Sequence, residues 1–387
     1  MHARSHNAVD RPSAILATIV FGVIGSIVFL LLPILIGVFS EELSLGTREV
    51  GWLGSADMIG MFMAAVVATA WIRRSDWRRA GLLAGLTLLL CHLASGWIEH
   101  YGALMVVRIV AGFAGGSMMS IALTALGDSR SPDRFFALFI SGQLALGALG
   151  LAVLPVLIAR FGLEGAFLAL AIAVTVALAS IPFLPRAGAF DAPARVSRVP
   201  LRKMLPGGVA LIACFLFDLG VMMVWAYAER MGDAAGLEAV FIGNALAVSL
   251  LAALAGSLLA AAMGARFGRV LPLAVALVLQ AIALWLLGGE LSRQGFFAGV
   301  MLFAFAWNFP VAFQLAITVS VDVSGRLVVL FLSAVKLGYA AAPVLAALLI
   351  GGRGNFRPVL LVAAGFYLIS AVIFAALART KTSKRRE

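Results

Sequence analysis

Twelve apolar runs, each long enough to cross a lipid bilayer as a helix, dominate this sequence of 387 residues. A spanning helix needs about 20 mostly apolar residues, and backbone groups inside lipid must be satisfied within helices or closed barrels. The sequence therefore predicts an all-α integral membrane protein with twelve transmembrane helices. The predicted spans are 13–39, 48–71, 80–97, 103–126, 135–159, 165–184, 207–228, 238–263, 270–288, 295–319, 327–350 and 358–378.

The composition agrees with this class: 63% of residues are hydrophobic and 12% are charged, far from the usage of soluble domains. The N-terminal "MHARSHNAVDRPS" places basic residues before an apolar run, as a signal peptide does. The run to Phe39 is too long for such a peptide and lacks a small-residue cleavage site, so we expect a retained first span. Cys91 and Cys214 both lie inside spans. We expect packed thiols, with no disulfide, metal site or cofactor.

The basic residues behind the formal net charge of +11 are unevenly distributed between the two predicted faces of the membrane. With a cytoplasmic N-terminus, 21 Lys and Arg residues fall in inner segments and 6 in outer loops, and Arg108 and Lys336 lie within spans. By the positive-inside rule this predicts a multi-pass protein of the cytoplasmic (inner) membrane with both termini cytoplasmic. The basic tail "KTSKRRE" is expected to contact anionic lipid headgroups, and a nucleic-acid partner is not expected.

A polar stretch, "PRAGAFDAPARVSRVPLRK", separates the sixth and seventh runs. It predicts a cytoplasmic linker at 185–205 between an N-terminal six-helix bundle, 1–184, and a C-terminal six-helix bundle, 206–387. Two self-alignments support a duplication. At a shift of 189, "EVGWLGSADMIG" lies over "EAVFIGNALAVS", and at a shift of 192, "RFFALFISG" lies over "RLVVLFLSA".

Two segments of the first half are distinctive: "LPILIGVFSEELSLGTREVGWLGSADMIG" and "RIVAGFAGG". They resemble the first two spans and the fourth-span motif of the major facilitator superfamily, and the resemblance extends across essentially the whole chain. "ATAWIRRSDWRRAG" and "GSLLAAAMGARFGRV" are similar to degraded copies of its inner-loop motif. The resemblance implies two bundles related by a pseudo-two-fold axis, alternating access, and a solute site between them. The residues it marks as conformational-switch loops are Arg74, Asp76, Arg78, Arg266 and Arg269.

Four ionisable residues lie within spans: Asp57, Arg108, Asp218 and Lys336. Such residues are costly to insert and mark functional candidates. Asp218 and Lys336 lie about 18 and 15 Å along their spans, at about 1.5 Å per residue, so we predict an ion pair. In lactose-permease-like members, an aspartate on span 7 and a lysine on span 11 form such a pair.

Asp57 and Arg108 both fall in the outer half of the membrane and form a second candidate pair. The family's fourth-span arginine is generally tied to proton coupling, and Arg108 matches that motif position. The alternative is that the pair only pins two helices together. Asp218 is the best candidate proton carrier, and His92 is interpreted as a structural histidine.

Polar and aromatic residues at helical spacing around these charges predict a substrate cavity. Each one alone is equally compatible with bridging between neighbouring helices. The predicted cavity residues are Gln143, Trp225, Asn244, Trp307, Asn308, Gln314, Ser333 and Tyr339, with a kink expected at Pro310.

These features predict proton-coupled secondary transport of a small organic solute by a monomer, with a lean toward an organic anion or metabolite. A proton-antiport exporter of lipophilic or cationic drugs is the alternative, although "GQLALGALGLAVLP" lacks the Gly-Pro step of the exporter motif. A transport-dead sensor or scaffold is a third. The four scattered His residues and the lack of a Walker-type loop disfavour an enzyme, so we expect no catalytic residues.

Overall fold

The computed structural model describes residues 9–188, 201–264, 266–289, 291–321, 327–351 and 354–383. Every regular element in these ranges is helical, which confirms the all-α prediction. The chain divides into two compact units, Met1–Leu45 with Trp52–Val196 and Gly46–Gly51 with Ser197–Glu387. The greater part of the predicted linker 185–205, residues 189–200, lies outside the described residues.

The first unit is built mainly from six helices that cover the first six predicted spans. Its first span is two short helices joined at Ile27, and its fifth and sixth spans form one long element interrupted at Gly162. Gly162 has φ 58° and ψ −150°, a conformation that glycine reaches without steric cost. The helices are α1 (Pro12–Ser26), α2 (Val28–Glu42), α3 (Thr47–Trp71), α4 (Trp77–Ser95), α5 (Tyr101–Gly127) and α6 (Pro132–Ser180).

The described residues of the second unit form eight helices, which cover the remaining six spans. The tenth span breaks next to Pro310, where the kink was expected, because proline cannot donate the helical backbone hydrogen bond. The short helix after the seventh span was not predicted. The helices are α7 (Leu201–Ala226), α8 (Ala228–Ala234), α9 (Ala239–Met263), α10 (Val270–Gly288), α11 (Arg293–Asn308), α12 (Val311–Ser320), α13 (Leu327–Ile350) and α14 (Arg357–Ser383).

The seventh helix starts earlier than its predicted span. The sequence places the span start at residue 207, whereas α7 begins at Leu201. Residues 201–205, the end of the predicted linker, are therefore part of this helix. The two boundaries differ because hydropathy marks the lipid-buried part of a helix and not its polar extension.

Ten helical stretches in the described residues are long and apolar enough to cross a membrane. One of them, Arg134–Phe183, is 50 residues long and contains the Gly162 interruption, so it accounts for two spans. The third predicted span is α4, whose charged start at Arg78 and Arg79 lowers its hydropathy. Over the described part of the chain, these helices account for all twelve predicted spans.

Large apolar side chains cover the outside of both units. Leu83, Trp285 and Leu361 are 70%, 75% and 73% exposed, respectively. Exposed apolar surface of this extent is unfavourable in water but is the expected lining against acyl chains. The burial pattern therefore agrees with helices embedded in lipid.

Candidate functional site

A close approach between α3 and α5 positions the first pair of buried charges. A Cβ atom added to Gly112 would overlap the backbone carbonyl oxygen of Asp57, and one added to Gly60 would overlap that of Ile109. Small residues at such crossings let helix backbones touch. Because the two helices meet at Gly112, the Asp57 and Arg108 side chains lie within reach of each other.

Arg108 and Asp57 form a bidentate ion pair inside the first unit. Arg108 Nε donates to Asp57 Oδ2 at 2.9 Å, and Nη2 donates to Oδ1 at 2.6 Å. The exposed fractions of the two side chains are 0% and 3%. Paired charge-assisted bonds of this geometry are among the stronger polar contacts in proteins.

The third guanidinium nitrogen of Arg108, Nη1, contacts residues of α4. Its Nη1 lies 3.3 Å from His92 Nδ1 and donates to Ser95 Oγ at 3.3 Å. A guanidinium has no acceptor, so His92 Nδ1 accepts and the ring proton of neutral His92 is on Nε2. Phe167 of α6 covers the group, with its ring centroid 5.0 Å from Arg108 Cζ. We call Asp57, His92, Ser95, Arg108 and Phe167 the Arg108 cluster.

Sequence reasoning missed His92 and Ser95 as partners of Arg108. His92 was expected to be structural, and it is 1% exposed, but its neighbour is the buried guanidinium. The available signal was their spacing, because residues three apart lie on one face of a helix. The cluster leaves the guanidinium surrounded by acceptors, an arrangement suited to a fixed internal charge.

A second close approach, between α7 and α13, positions the other pair. A Cβ atom added to Gly338 would lie 3.0 Å from both Leu219 N and Phe215 O of α7. Lys336 and Tyr339 flank this glycine and Asp218 lies between its two contacts. The glycine therefore lets both side chains approach the carboxylate.

Asp218 has a tyrosine and a lysine as neighbours in the second unit. The Tyr339 hydroxyl is hydrogen-bonded to the Asp218 carboxylate, and Lys336 interacts with it electrostatically. The Lys336 ammonium also lies 5.5 Å from the Tyr339 ring centroid. Asp218 is 5% exposed, whereas Lys336 is half-buried.

Two tryptophans complete this group. Trp307 is hydrogen-bonded to Tyr339, and the Trp225 and Trp307 ring centroids are 5.8 Å apart. We call Asp218, Lys336, Tyr339, Trp307 and Trp225 the Asp218 cluster. All of them come from the predicted site residues of spans 7, 10 and 11.

Gln143 and Asn308 make their side-chain hydrogen bonds outside this cluster. Gln143 lies in the first unit, where its Nε2 donates to Ser26 Oγ at 2.6 Å and links α6 to α1. Asn244 is exposed on α9, and Asn308 donates to the Ala304 carbonyl of its own helix. Ser333 is half-buried on α13.

Gln314 was predicted to share a face with Trp307. The helix break at Pro310 interrupts the spacing on which that prediction depended, and Gln314 is 2% exposed. It lines a separate small cavity with Gln280 and Tyr367.

The inner-loop motif of the first unit is held by polar contacts. Asp76 caps α4, with Oδ1 accepting from the backbone N of Arg78 at 2.9 Å and of Arg79 at 3.1 Å. Arg78 Nε donates to the Leu184 carbonyl at 2.7 Å, and Arg74 is exposed. These contacts tie the loop to the end of the sixth span.

An ion pair that sequence reasoning missed lies beside this loop. Arg73 donates to both carboxylate oxygens of Asp128, with Nη2–Oδ1 at 2.9 Å. The exposed fraction of the Asp128 side chain is 3%, against 25% for Arg73. In the corresponding loop of the second unit, Arg266 is exposed and Arg269 Nη1 donates to the Ala316 carbonyl at 3.0 Å.

The long apolar helices define a polytopic membrane protein. The sequence matches the family model described as Major Facilitator Superfamily over residues 14–206 and 210–387, and the chain belongs to this family. This result confirms the predicted family and fold class. The chain is accordingly a multi-pass membrane protein and a secondary transporter.

Solved transporter structures share the fold at low sequence identity. The nucleoside transporter NupG superposes with a TM-score of 0.74 at 12% identity, covering 95% of this chain and 99% of its own. A mutant of NupG superposes with a TM-score of 0.71 at 14% identity, covering 94% of this chain and 98% of its own. A POT family transporter in complex with a thioalcohol-conjugated peptide superposes with a TM-score of 0.71 at 13% identity, covering 94% of this chain and 95% of its own. No curated protein sequence matches the chain.

Proposed function

We propose that this protein couples the movement of a small organic solute to protons, with Asp218 as the residue that binds and releases the proton. The observation that carries the proposal is the pairing of a buried carboxylate with a half-buried lysine on another helix. A carboxylate in such a place is charged only while a cation or donor stabilises it. Movement of α13 relative to α7 would change that support and therefore the protonation of Asp218.

The Arg108 cluster is proposed to have a different role. Its carboxylate is held by two bonds from one guanidinium, which is itself fully buried. Breaking such a pair strands an uncompensated charge. We therefore assign Asp57 and Arg108 to holding α3 against α5, and the cycling proton to Asp218.

The proposed solute is an organic anion. Asp57 and Arg108 neutralise each other, and Asp218 is nearly inaccessible, so Lys336 is the most exposed of the four intramembrane charges. The positive charge of Lys336 attracts a carboxylate or phosphate group. The alternative, export of lipophilic cations, would use Trp225 and Trp307, but these are 0% and 5% exposed.

Uptake into proteoliposomes under an imposed pH gradient tests the coupling. The panel contains monocarboxylates, dicarboxylates, uridine, a dipeptide and tetraphenylphosphonium, the nucleoside and peptide being chosen because of the related structures. We expect accumulation of an organic acid that stops when the gradient is collapsed. Gradient-independent uptake, or uptake of tetraphenylphosphonium alone, contradicts the proposal.

Two variants separate coupling from binding. Asp218→Asn is expected to lose gradient-driven accumulation while solute exchange across the membrane continues, because the amide keeps the shape but binds no proton. Lys336→Gln is expected to lose both accumulation and exchange, because the solute anion then lacks the ammonium group that binds it. Gradient-driven accumulation by Asp218→Asn at the parent rate rules out Asp218 as the carrier.

We further propose the cytoplasmic membrane as the location, with both termini on the cytoplasmic side. The support is the distribution of 21 against 6 Lys and Arg residues between the two predicted faces. The native cysteines, Cys91 and Cys214, are buried, so a cysteine added after Glu387 is expected to be the main reactive thiol. Labelling of that cysteine by an impermeant maleimide in intact cells contradicts this orientation.

A further inference from the structure

A small cavity lies in the second unit, lined in part by Phe217, the neighbour of Asp218 on α7. Its volume is about 20 Å³, and it is bordered by α7, α10, α14 and the break between α11 and α12. Four polar side chains line it: Gln280, Gln314, Tyr367 and Ser370, with exposed fractions of 1%, 2%, 2% and 1%. The Ser370 hydroxyl already donates to the Ala213 carbonyl at 2.8 Å. The rest of the lining is largely apolar.

These side chains carry four polar atoms that lack a hydrogen-bond partner among the described residues. They are Oε1 and Nε2 of Gln280, Oε1 of Gln314 and the hydroxyl of Tyr367. Each buried polar group left without a hydrogen bond costs about 1–3 kcal/mol. The lipid around the protein cannot supply the missing hydrogen bonds. Four such atoms around one cavity indicate a polar ligand that satisfies them together.

We propose that this cavity is a binding site for ordered water, which bridges Gln280, Gln314 and Tyr367. A cavity must offer about 10–15 Å³ and two to four polar partners to hold one water molecule, and this one meets both conditions. The water donates to the two amide oxygens and accepts from both the Gln280 amide and the Tyr367 hydroxyl. A monovalent cation is a poorer fit, because the Gln280 amide group would present hydrogens to it.

The place of the site in the fold gives the water a structural role. Pro310 lines the same cavity, at the break in the tenth span. Breaks in membrane helices are commonly stabilised by water and neighbouring polar groups. The bridging water thus joins α10, α12 and α14 at the point where the tenth span is interrupted.

Hydroxyl-radical footprinting of the full-length protein in nanodiscs tests the site, because radicals formed from bound water oxidise the side chains beside it. Tyr227 is the matched control: it is also 2% exposed, but its hydroxyl donates to the Pro343 carbonyl. We expect Tyr367 to be oxidised at least about five times faster than Tyr227. Equal rates overturn the proposal.

The direction in which the melting temperature of each variant changes provides a second, independent test. If water bridges the three side chains, Tyr367→Phe and Gln280→Met each remove a hydrogen bond and lower the melting temperature, and the double variant is no worse than the poorer single one. If the cavity is dry, each change removes an unsatisfied polar group and raises the melting temperature. A rise for Tyr367→Phe overturns the proposal whatever the footprint.

Discussion

Arg108 and Asp57 share two parallel hydrogen bonds, Nε–Oδ2 at 2.9 Å and Nη2–Oδ1 at 2.6 Å, at the crossing of α3 and α5. The same guanidinium reaches His92 and Ser95 on α4. One buried cation therefore connects three helices of the first unit. Its desolvation is offset only while these partners remain in place.

Removing either member of this pair is expected to destabilise the protein by about 3–5 kcal/mol, because the other charge stays buried without compensation. The melting temperatures of Asp57→Ala, Arg108→Ala and the double variant measure this. The double variant is expected to lose less than the sum of the singles. Strict additivity of the two losses would show that the residues do not act as a pair.

Gly112→Ala tests the helix crossing itself. The new methyl group would collide with the Asp57 carbonyl oxygen, so we expect a loss of about 1–3 kcal/mol from overpacking. Gly365→Ala is the control, because Gly365 lies within α14 with nothing within 4 Å of an added Cβ. The control should gain up to about 1 kcal/mol of helix propensity. Similar melting temperatures for the two variants would refute the proposed close packing.

We expect the two alanine variants of the Arg73–Asp128 ion pair to lose different amounts of stability. Arg73→Ala removes two hydrogen bonds from a carboxylate whose side chain is 3% exposed, whereas Asp128→Ala removes them from a guanidinium whose side chain is 25% exposed and accessible to water. Arg73→Ala should therefore cost more stability, by about 1 kcal/mol or more. Thermal unfolding of the two single variants gives the comparison. The account is wrong if Asp128→Ala proves the more damaging change.

Asp76 is expected to act as a helix cap in the inner loop. Replacing it with Ala should cost about 1 kcal/mol, and replacing it with Asn should cost much less, because Asn retains the acceptor oxygen. Arg74→Ala, at an exposed position of the same loop, serves as the control and should be nearly neutral. Equal losses for Asp76→Ala and Asp76→Asn would point to the charge of Asp76 and not to capping.

The fold could be predicted from the sequence because the bilayer imposes a length and a polarity on every span. The same rule marks Asp57, Arg108, Asp218 and Lys336, since a charge inside an apolar run is conspicuous. What hydropathy cannot mark is the polar start of a helix, and for that reason the beginning of α7 at Leu201 was missed.

The partners of the buried charges were harder to predict. His92 and Asp128 contact arginines that are distant in sequence, and only the packing of the helices brings them together. The break expected at Pro310 changes the direction of the side chains after it, and Gln314 lines a cavity with Gln280 and Tyr367. Polar residues on one continuous helix can be assigned to a face from their spacing, whereas residues on either side of a break cannot.

Infrared titration of the protein in lipid tests the central claim most directly, because it reports carboxyl protonation without a known solute. We predict a protonated-carboxyl band that titrates with pH in the parent protein, disappears in Asp218→Asn and persists in Asp57→Asn. A titrating band that survives in Asp218→Asn, or that is lost in Asp57→Asn, would contradict the assignment of the proton to Asp218.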